Sequence, residues 1–446
     1  TEAWLNARSG EAQIIIGTRS AVFVPLHAPG LIIIDEEHDS SFKQMEGFRY
    51  SARDVAIKRA AMLKIPVILG SATPSLEALN NARNGKFTML QLPERAGESS
   101  HPQQVLLNMQ GIKPVAGLSP QALKAIEREL DQDGQALIFL NRRGYAPTYR
   151  CESCGWIAEC HHCDVRLTLH RRDSRLRCHV CSYETTIPEK CPECGGHTMH
   201  TIGHGTEKLE TMLQEHYPDT RVTRVDRDTT RRKGAFDKII DTVHSGGRQI
   251  LIGTQMLAKV HHFPRVGTVI ILDADSGLYG LDFRAQETMA QLITQVAGRS
   301  GRGSRLGQVC IQTWHPEHPF FAAISHLPYQ ELALTMLSER ELTAMPPFTY
   351  LALLRAESNE MSVTEKFMHI AADLANSDRP GIIDLLGPAI APLERKAGFF
   401  RMQLLVKSGS RSDLHQFLKT WIIQLDTLKQ GRKVRWSIDV DPYNLY

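Results

Sequence analysis

Short, uniformly apolar runs alternate with stretches of helical period along most of the chain. Residues 12–17, 31–34 and 66–70 are three such runs. Runs this uniform suit parallel strands buried on both faces. Residues 51–64 read as a helix with Val55, Ile57, Ala60 and Leu63 as its apolar positions, and residues 75–83 as a shorter one. The first hundred residues therefore read as half of an α/β domain. Ligands in such sheets bind beyond the carboxyl ends of the strands. Three polar clusters stand at those ends: Thr18-Arg19, Asp35-Glu36-Glu37-His38 and Ser71-Ala72-Thr73.

The alternation resumes from about residue 99 to 320. Ser119 is the expected cap of a helix reaching Leu130, with Pro120 in its first turn. Strands are expected at 136–140, 221–225, 249–254, 269–275 and 308–313, with a helix at 207–216. Prolines at Pro346 and Pro347 end a helix and open a small separate domain. Its expected order is strand 350–356, helix 363–375, strand 382–385, a hairpin of 391–396 and 399–406 about Gly398, helix 411–428 and strand 434–439. Such a β-α-β-β-α-β order suggests a compact α+β sandwich. Arg395, Lys396, Arg401, Lys407, Lys429, Arg432, Lys433 and Arg435 give it a basic bias, open to nucleic-acid contact.

Composition changes this picture at one point. The 446 residues suggest about three domains, and 42% hydrophobic with 23% charged residues is ordinary for a globular protein. There is no signal peptide and no apolar run of about 18 residues, so no membrane partner is expected. Cysteine is the departure. Eight of the nine cysteines form four C-x2-C arms: Cys151/Cys154, Cys160/Cys163, Cys178/Cys181 and Cys191/Cys194. Two arms complete one tetrahedral thiolate site, so eight thiolates imply two structural zincs with no open position for catalysis. Disulfides would spread through a short secreted chain, whereas these lie in one segment of a long one. A reducing cytoplasm is the natural compartment. Cys310, within an apolar run, reads as a small buried hydrophobe.

Two pairings satisfy the spacing. Sequential pairing joins the first two arms and the last two. Nested pairing closes zinc 1 with Cys151, Cys154, Cys191 and Cys194, and zinc 2 with Cys160, Cys163, Cys178 and Cys181. Nesting holds the segment's two ends together, which suits an insertion hung from a host domain, and is the favoured expectation. A segment this short needs metal for much of its folding energy. His161, His162, His179, His197 and His200 are expected around the sites or at the surface. The formal charge of +3 becomes about −1 once each four-thiolate zinc adds two negative charges, so net charge does not argue for DNA. Arg166, Arg171, Arg172, Arg175 and Arg177 crowd the loop between the inner arms, either as a phosphate-contacting surface or as a solvated linker.

Chemistry concentrates at Asp35-Glu36-Glu37-His38. A strand-end Asp35 can hold Mg²⁺ through water, and Glu36 can polarise an attacking water, a division that phosphoryl transfer needs. Directly after it, residues 39–53 carry Phe42, Lys43, Phe48, Arg49, Tyr50 and Arg53 with no helical spacing. Aromatics interleaved with bases suit stacking on unpaired nucleotides.

The ordered set of motifs resembles the bacterial replication restart (primosomal) helicases, the PriA family of helicase superfamily 2. Gly17-Thr18-Arg19-Ser20 resembles a motif touching the tracking strand. Asp35-Glu36-Glu37-His38 resembles the Walker B box, and Gly70-Ser71-Ala72-Thr73-Pro74-Ser75 resembles motif III. Gly253-Thr254-Gln255-Met256-Leu257-Ala258-Lys259 resembles motif V, and Gln295-Val296-Ala297-Gly298-Arg299-Ser300-Gly301-Arg302 motif VI. The resemblance spans essentially the whole chain.

It implies two RecA-like helicase lobes, the first incomplete at 1–98 and the second at 99–150 and 202–340. A two-zinc insertion would occupy 151–201, and an α+β DNA- and partner-binding domain 341–446. It implies catalytic roles for Asp35, Glu36, Gln295, Arg299 and Arg302, and coupling roles for Glu37, His38, Ser71, Thr73, Thr254 and Lys259. DNA contacts would fall to Thr18, Arg19, Phe42, Lys43, Phe48, Arg49 and Tyr50. The cofactors implied are two Zn²⁺, Mg²⁺ and ATP. The function implied is that of a monomeric, cytoplasmic, nucleoid-associated 3′-to-5′ DNA helicase at abandoned forks. Its partners would be branched and single-stranded DNA, single-stranded DNA-binding protein and primosome or helicase-loading proteins.

Two departures qualify the resemblance. The family's Ala-Lys-Gly-His reads Ala258-Lys259-Val260-His261 here, and Val260 cannot take a positive φ cheaply. No G-x4-G-K-[ST] phosphate loop occurs, and the chain opens on Thr1 without Met. The expectation is a piece of a longer protein, with that loop upstream and no useful ATPase in these residues alone. A non-enzymatic zinc-bearing DNA-binding or assembly module is the alternative.

Overall fold

The computed structural model describes residues 2–445 apart from 93–101, 141–147, 152–155, 157, 163–165, 171–174, 179–180, 182, 197–198, 203–205, 227–228, 231–233, 255–262, 264, 273, 279–281, 299–306 and 379–381. Two short strands, β1 (Ile32–Ile34) and β2 (Val67–Leu69), pair in parallel with Ile33 opposite Ile68. The helix Ala52–Leu63 connects them, capped by the Ser51 hydroxyl, which accepts from the Asp54 N–H. Its buried positions are Ala52, Ala56 and Ala60, while Leu63 is exposed. Small residues four apart let it lie close to the sheet, so the expected larger apolar face is not the packed one.

Residues 12–17 correct the sequence expectation. They form no strand, and Ile14 and Ile16 are 82% and 95% exposed. A strand needs a neighbour for its N–H and C=O groups, and among the described residues none pairs with this segment. Nor is the β1–β2 pair buried on both faces, since Ile33 and Ile68 are exposed.

The second lobe meets the expectation of a covered parallel sheet. β3 (Gln103–Asn108), which the sequence reading missed, lies at one edge. β4 (Gln135–Leu140) is buried at every position. An antiparallel meander follows: β5 (Thr148–Cys151), β6 (Thr168–His170), β7 (Arg175–Arg177), β8 (Glu184–Thr186) and β9 (Met199–Ile202), in the order β8-β7-β6-β5-β9. β5 and β9 pair with one another and bring the ends of the insertion together. The parallel sheet then resumes with β10 (Arg221–Val225), β11 (Gln249–Gly253), β12 (Val266–Leu272) and β13 (Gln308–Thr313), giving the order β10-β11-β4-β12-β13-β3. Alternation by two feeds both faces. Leu137, Phe139, Leu251, Val269, Ile271 and Ile311 enter one core. Ala136, Ile138, Ile250, Ile252, Ile270 and Cys310 enter the other, against the helices Pro120–Asp131 and Thr206–His216.

The last unit is a four-stranded antiparallel sheet with helices packed on it. β14 (Tyr350–Ser358), β15 (Ile383–Lys396), β16 (Phe399–Ser408) and β17 (Arg435–Val440) run in the order β15-β16-β14-β17. The two strands expected near 382–385 and 391–396 are one bulged strand, with register shifts after Leu386 and Ile390. Pro388 is tolerated because β15 is an edge strand. The β15–β16 turn touches the insertion: Gly398 N–H donates to the His162 carbonyl at 2.7 Å and Arg395 to the His161 carbonyl at 3.0 Å.

The first and second lobes are held by a buried charge cluster. Glu287, on the helix Ala285–Ala297, accepts from the Leu76 N–H at 3.0 Å, so it caps the helix Leu76–Arg83 of the other lobe. Arg340 reaches Glu287 at 3.2 Å, and Arg284 reaches Glu77 at 2.6 Å. Burial opposes the charge on Glu77, yet Arg284 and Arg53 hold its carboxyl down to about 2. Burial, then the nearby Glu77, raises Glu287. Leu76 and Leu79 complete the contact by entering the second lobe's core. Replacing Arg284 by Met would leave two buried carboxylates undercompensated. We expect a loss of about 3–5 kcal/mol in denaturant unfolding, partly restored by adding Glu77→Gln. Because the Glu77 carboxyl is depressed, its stabilisation is fully present above the ordinary 4.5 and disappears as pH falls through about 2. Glu77→Gln should flatten acid unfolding in that window.

Candidate functional site

The acidic box begins where β1 ends. Ile34 is buried and Asp35, next in sequence, is exposed. Asp35 Oδ1 accepts from the Glu36 N–H at 3.0 Å. Glu36 has φ +49°, a left-handed conformation that costs a non-glycine residue about 1–3 kcal/mol and clusters at functional sites. Glu36 Oε2 is buried without a hydrogen-bond partner. Glu37 turns inward, where its carboxylate accepts from the Ser75 N–H at 2.6 Å, the Ser75 hydroxyl at 3.0 Å and Arg53 at 3.1 Å. Glu37 thereby welds the box to the start of the helix Leu76–Arg83.

His38 makes the contact that crosses the cleft. Its Nδ1 lies 2.7 Å from Ser71 Oγ, and its Nε2 lies 2.7 Å from Gln295 Nε2. An amide nitrogen only donates, so in this arrangement His38 Nε2 accepts and Nδ1–H donates to Ser71. The Ser71 oxygen also accepts from the Thr73 N–H at 2.9 Å. Thr73 is buried, and its carbonyl accepts from Gln291 Nε2 at 3.4 Å. Thr254 is buried at the end of β11. Lys259, Val260, Arg299 and Arg302 lie outside the described residues.

Glu287, Gln291 and Gln295 were not recognised together from the sequence, where only Gln295 was singled out. They stand four residues apart on a helix otherwise rich in buried apolar side chains. Each reaches the first lobe: Leu76 N–H, the Thr73 carbonyl and His38. A polar stripe of period four inside an apolar helix was the available signal.

The segment after the box folds as a small hairpin. Asp39 caps the 3₁₀ turn Ser40–Phe42, Lys43 bridges Ser51, and the Gln44 N–H donates to the Tyr50 carbonyl at 2.8 Å. Phe48 is 76% exposed at its tip and stacks on Tyr50 at 5.8 Å. Tyr50 meets Phe23 edge-on at 4.8 Å, just after Thr18 and Arg19. Phe42 is half-buried, Thr18 is exposed, and Arg49 folds back onto the Met45 carbonyl at 3.0 Å. Arg19 donates to the carbonyls of Ser41 and Lys43, both at 3.1 Å, and so props the hairpin.

Lys43 requires a correction. Expected to face a DNA phosphate, it is buried and ion-paired with Asp439 at 2.8 Å. The basic loop of the insertion is also partly neutralised, because Glu184 pairs with Arg177 at 2.6 Å and approaches Arg175 at 3.8 Å.

The insertion gathers two thiol clusters: Cys151, Cys191 and Cys194, and Cys160, Cys178 and Cys181. These are the nested groupings. Cys154 and Cys163 lie outside the described residues. Cys151 and Cys194 sulfurs are 3.6 Å apart, as are those of Cys160 and Cys181. A disulfide would bring them to about 2 Å, whereas the edge of a tetrahedral zinc thiolate site is about 3.8 Å. Burial first, with its neighbouring thiols, pushes the Cys160 thiol up to about 11. Gathered thiolates need a cation there, so the donor set fits zinc.

A parallel α/β lobe, hydrogen-bonded across a cleft to a strand-end carboxylate box and interrupted by a cysteine-rich meander, defines a two-lobed RecA-like core. Residues 160–185 match the "PriA DNA helicase Cys-rich region (CRR) domain", and residues 341–443 match the "Primosomal protein N C-terminal domain". The replication restart protein PriA of Haemophilus influenzae is 44% identical over 99% of this chain and 60% of its own length. That of Bacillus subtilis is 37% identical over 99% of the chain and 55% of its own. That of Rickettsia conorii is 33% identical over 98% and 67%. The chain belongs to the PriA family of bacterial replication restart helicases. It spans under two thirds of the length of the first two of these relatives.

Proposed function

We propose that this chain serves as motor core and zinc-bearing platform of an ATP-dependent 3′-to-5′ DNA helicase. It would act on single-stranded and branched DNA at stalled or abandoned forks, in the nucleoid-associated cytoplasm. As a monomer it would start primosome assembly with single-stranded DNA-binding protein and helicase-loading proteins. The observation that carries this reading is the His38 bridge between the carboxylate box and Gln295.

The residues fit Mg²⁺ and ATP in part. Glu36 Oε2 is a buried carboxylate oxygen without a hydrogen-bond partner, and Asp35 is an exposed strand-end carboxylate. No phosphate-cradling G-x4-G-K-[ST] occurs in the sequence. When bound, Mg-ATP supplies a phosphoryl group whose transfer depends mainly on positioning and charge compensation. Asp35 would hold the metal and Glu36 Oε2 would take the proton of the attacking water. His38, fixed at both ring nitrogens, would carry the state of the box to Ser71, Thr73 and Gln295. Arg299 and Arg302 would compensate charge from the second lobe, with Thr254 and Lys259 reporting on the strand. Phe48, stacked on Tyr50, offers the exposed ring face for an unpaired base. The missing phosphate loop favours a second reading for these residues taken alone, that of a zinc-bearing binding and assembly module.

Three outcomes test the proposal. Glu36→Gln in the complete protein should keep nucleotide and DNA binding while turnover drops about 10²–10⁴-fold. Near-normal DNA-stimulated hydrolysis would remove Glu36 from the role of base.

Elemental analysis should find two zincs per chain, and one in Cys191→Ser. That variant should admit protease to the insertion while the parallel lobe keeps its melting transition. One zinc in the unaltered chain would refute the two-site assignment.

Phe48→Ala should weaken single-strand binding by about 1–3 kcal/mol. Phe42→Ala, Phe48→Ala and Tyr50→Ala should each lower DNA-stimulated hydrolysis more than basal hydrolysis. An unchanged stimulation ratio in all three would leave the hairpin as packing.

A further inference from the structure

The hairpin that follows the carboxylate box is anchored to the C-terminal sheet. Lys43 is 7% exposed and Asp439, on β17, is 1% exposed. Lys43 Nζ lies 2.8 Å from Asp439 Oδ1 and donates to the Val440 carbonyl at 2.7 Å. The same residue forms the base of the hairpin through its bridge to Ser51. Toward the box, the chain is a run of interlocked turns. The Asp39 N–H donates to the Glu36 carbonyl at 2.8 Å, Phe42 to Asp39 at 3.1 Å and Lys43 to Ser40 at 3.1 Å. Little slack separates Lys43 from Glu36.

Asp439 holds a second cation from its own sheet, since Arg355 Nη1 is 3.7 Å from Oδ2. Arg355 also donates to the Asn444 carbonyl at 2.9 Å. Both Asp439 carboxylate oxygens are buried without a hydrogen-bond partner, and Lys43 at 2.8 Å is the nearer of these two cations. The Lys43 contact spans two parts of the chain nearly four hundred residues apart, as the separation of 397 between Lys43 and Val440 shows.

We infer that Lys43 and Asp439 are a positioning pair through which the C-terminal domain sets the placement of the aromatic hairpin and so the responsiveness of the carboxylate box to DNA. Neither residue touches substrate. The C-terminal domain is then part of the coupling apparatus as well as a binding unit. This inference rests on the proposed DNA-sensing role of the hairpin.

The test uses the complete protein with Asp439→Asn, Lys43→Met and the double variant. Amide hydrogen exchange across residues 39–51 reads the clamp without reference to activity. Exchange there should accelerate about tenfold in Asp439→Asn and at least as much in Lys43→Met, which also loses the Val440 contact, and no further in the double than in Lys43→Met. The ratio of DNA-stimulated to basal hydrolysis should fall about threefold or more in Asp439→Asn, with basal hydrolysis and the C-terminal melting transition unchanged. Unaltered exchange, additive effects in the double variant, or equal loss of basal and stimulated rates would each overturn the inference. If the unaltered protein showed no DNA stimulation, the functional reading would fall, while the exchange data would still decide whether the clamp exists.

Discussion

The imidazole of His38 is the narrowest point of the structure. One ring nitrogen is committed to Ser71 and the other to Gln295. The carboxylate box, the turn that follows β2 and the helix Ala285–Ala297 therefore meet on one side chain. The ring is mostly removed from water, so either bond, if broken without replacement, leaves a buried polar group at a cost of about 1–3 kcal/mol.

The polar stripe Glu287, Gln291 and Gln295 extends the same constraint along one helix face. Each member satisfies a group on the opposite lobe, beginning with the N–H of Leu76 at a helix start and ending at His38. The helix otherwise buries Met289, Ala290, Ile293 and Val296 in its own lobe. It is thus apolar toward its sheet and polar toward the box. Glu287 is held by Arg340 as well, and Arg340 donates to the Pro346 carbonyl at the entrance to the C-terminal domain. Rotation of this helix would disturb the cleft and the domain boundary together.

The sequence made some of this legible and concealed the rest for physical reasons. β4, β11 and β12 were readable because each is buried on both faces, so local apolarity and tertiary burial coincide. The thiol clusters were readable because chelation imposes its own spacing. Residues 12–17 misled because apolarity was taken for pairing, and pairing depends on a neighbour. β3 was missed because an edge strand is half-exposed and carries polar ends. Lys43 misled more instructively. Its neighbours Phe42, Phe48 and Tyr50 suggested a nucleic-acid surface, but its carboxylate partner lies near the other end of the chain. No local pattern can reveal a contact of that separation.

The cysteine-rich meander and the C-terminal sheet resolve a related difficulty. A meander of strands only three or four residues long has little core of its own, chiefly Leu167, Leu169, Leu176 and a few aromatics with the thiols. Metal ligation can supply the missing stability, but it does not orient the insertion on its host. Two contacts tie the insertion to the C-terminal hairpin, where the Gly398 N–H donates to the His162 carbonyl and the Arg395 side chain to the His161 carbonyl, next to Cys160. Carbonyl acceptors are indifferent to side-chain identity, so the grip constrains placement more than composition. The C-terminal domain consequently holds the insertion at its β15–β16 turn and the box-proximal hairpin at β17. One four-stranded sheet, in the order β15-β16-β14-β17, joins those two contacts.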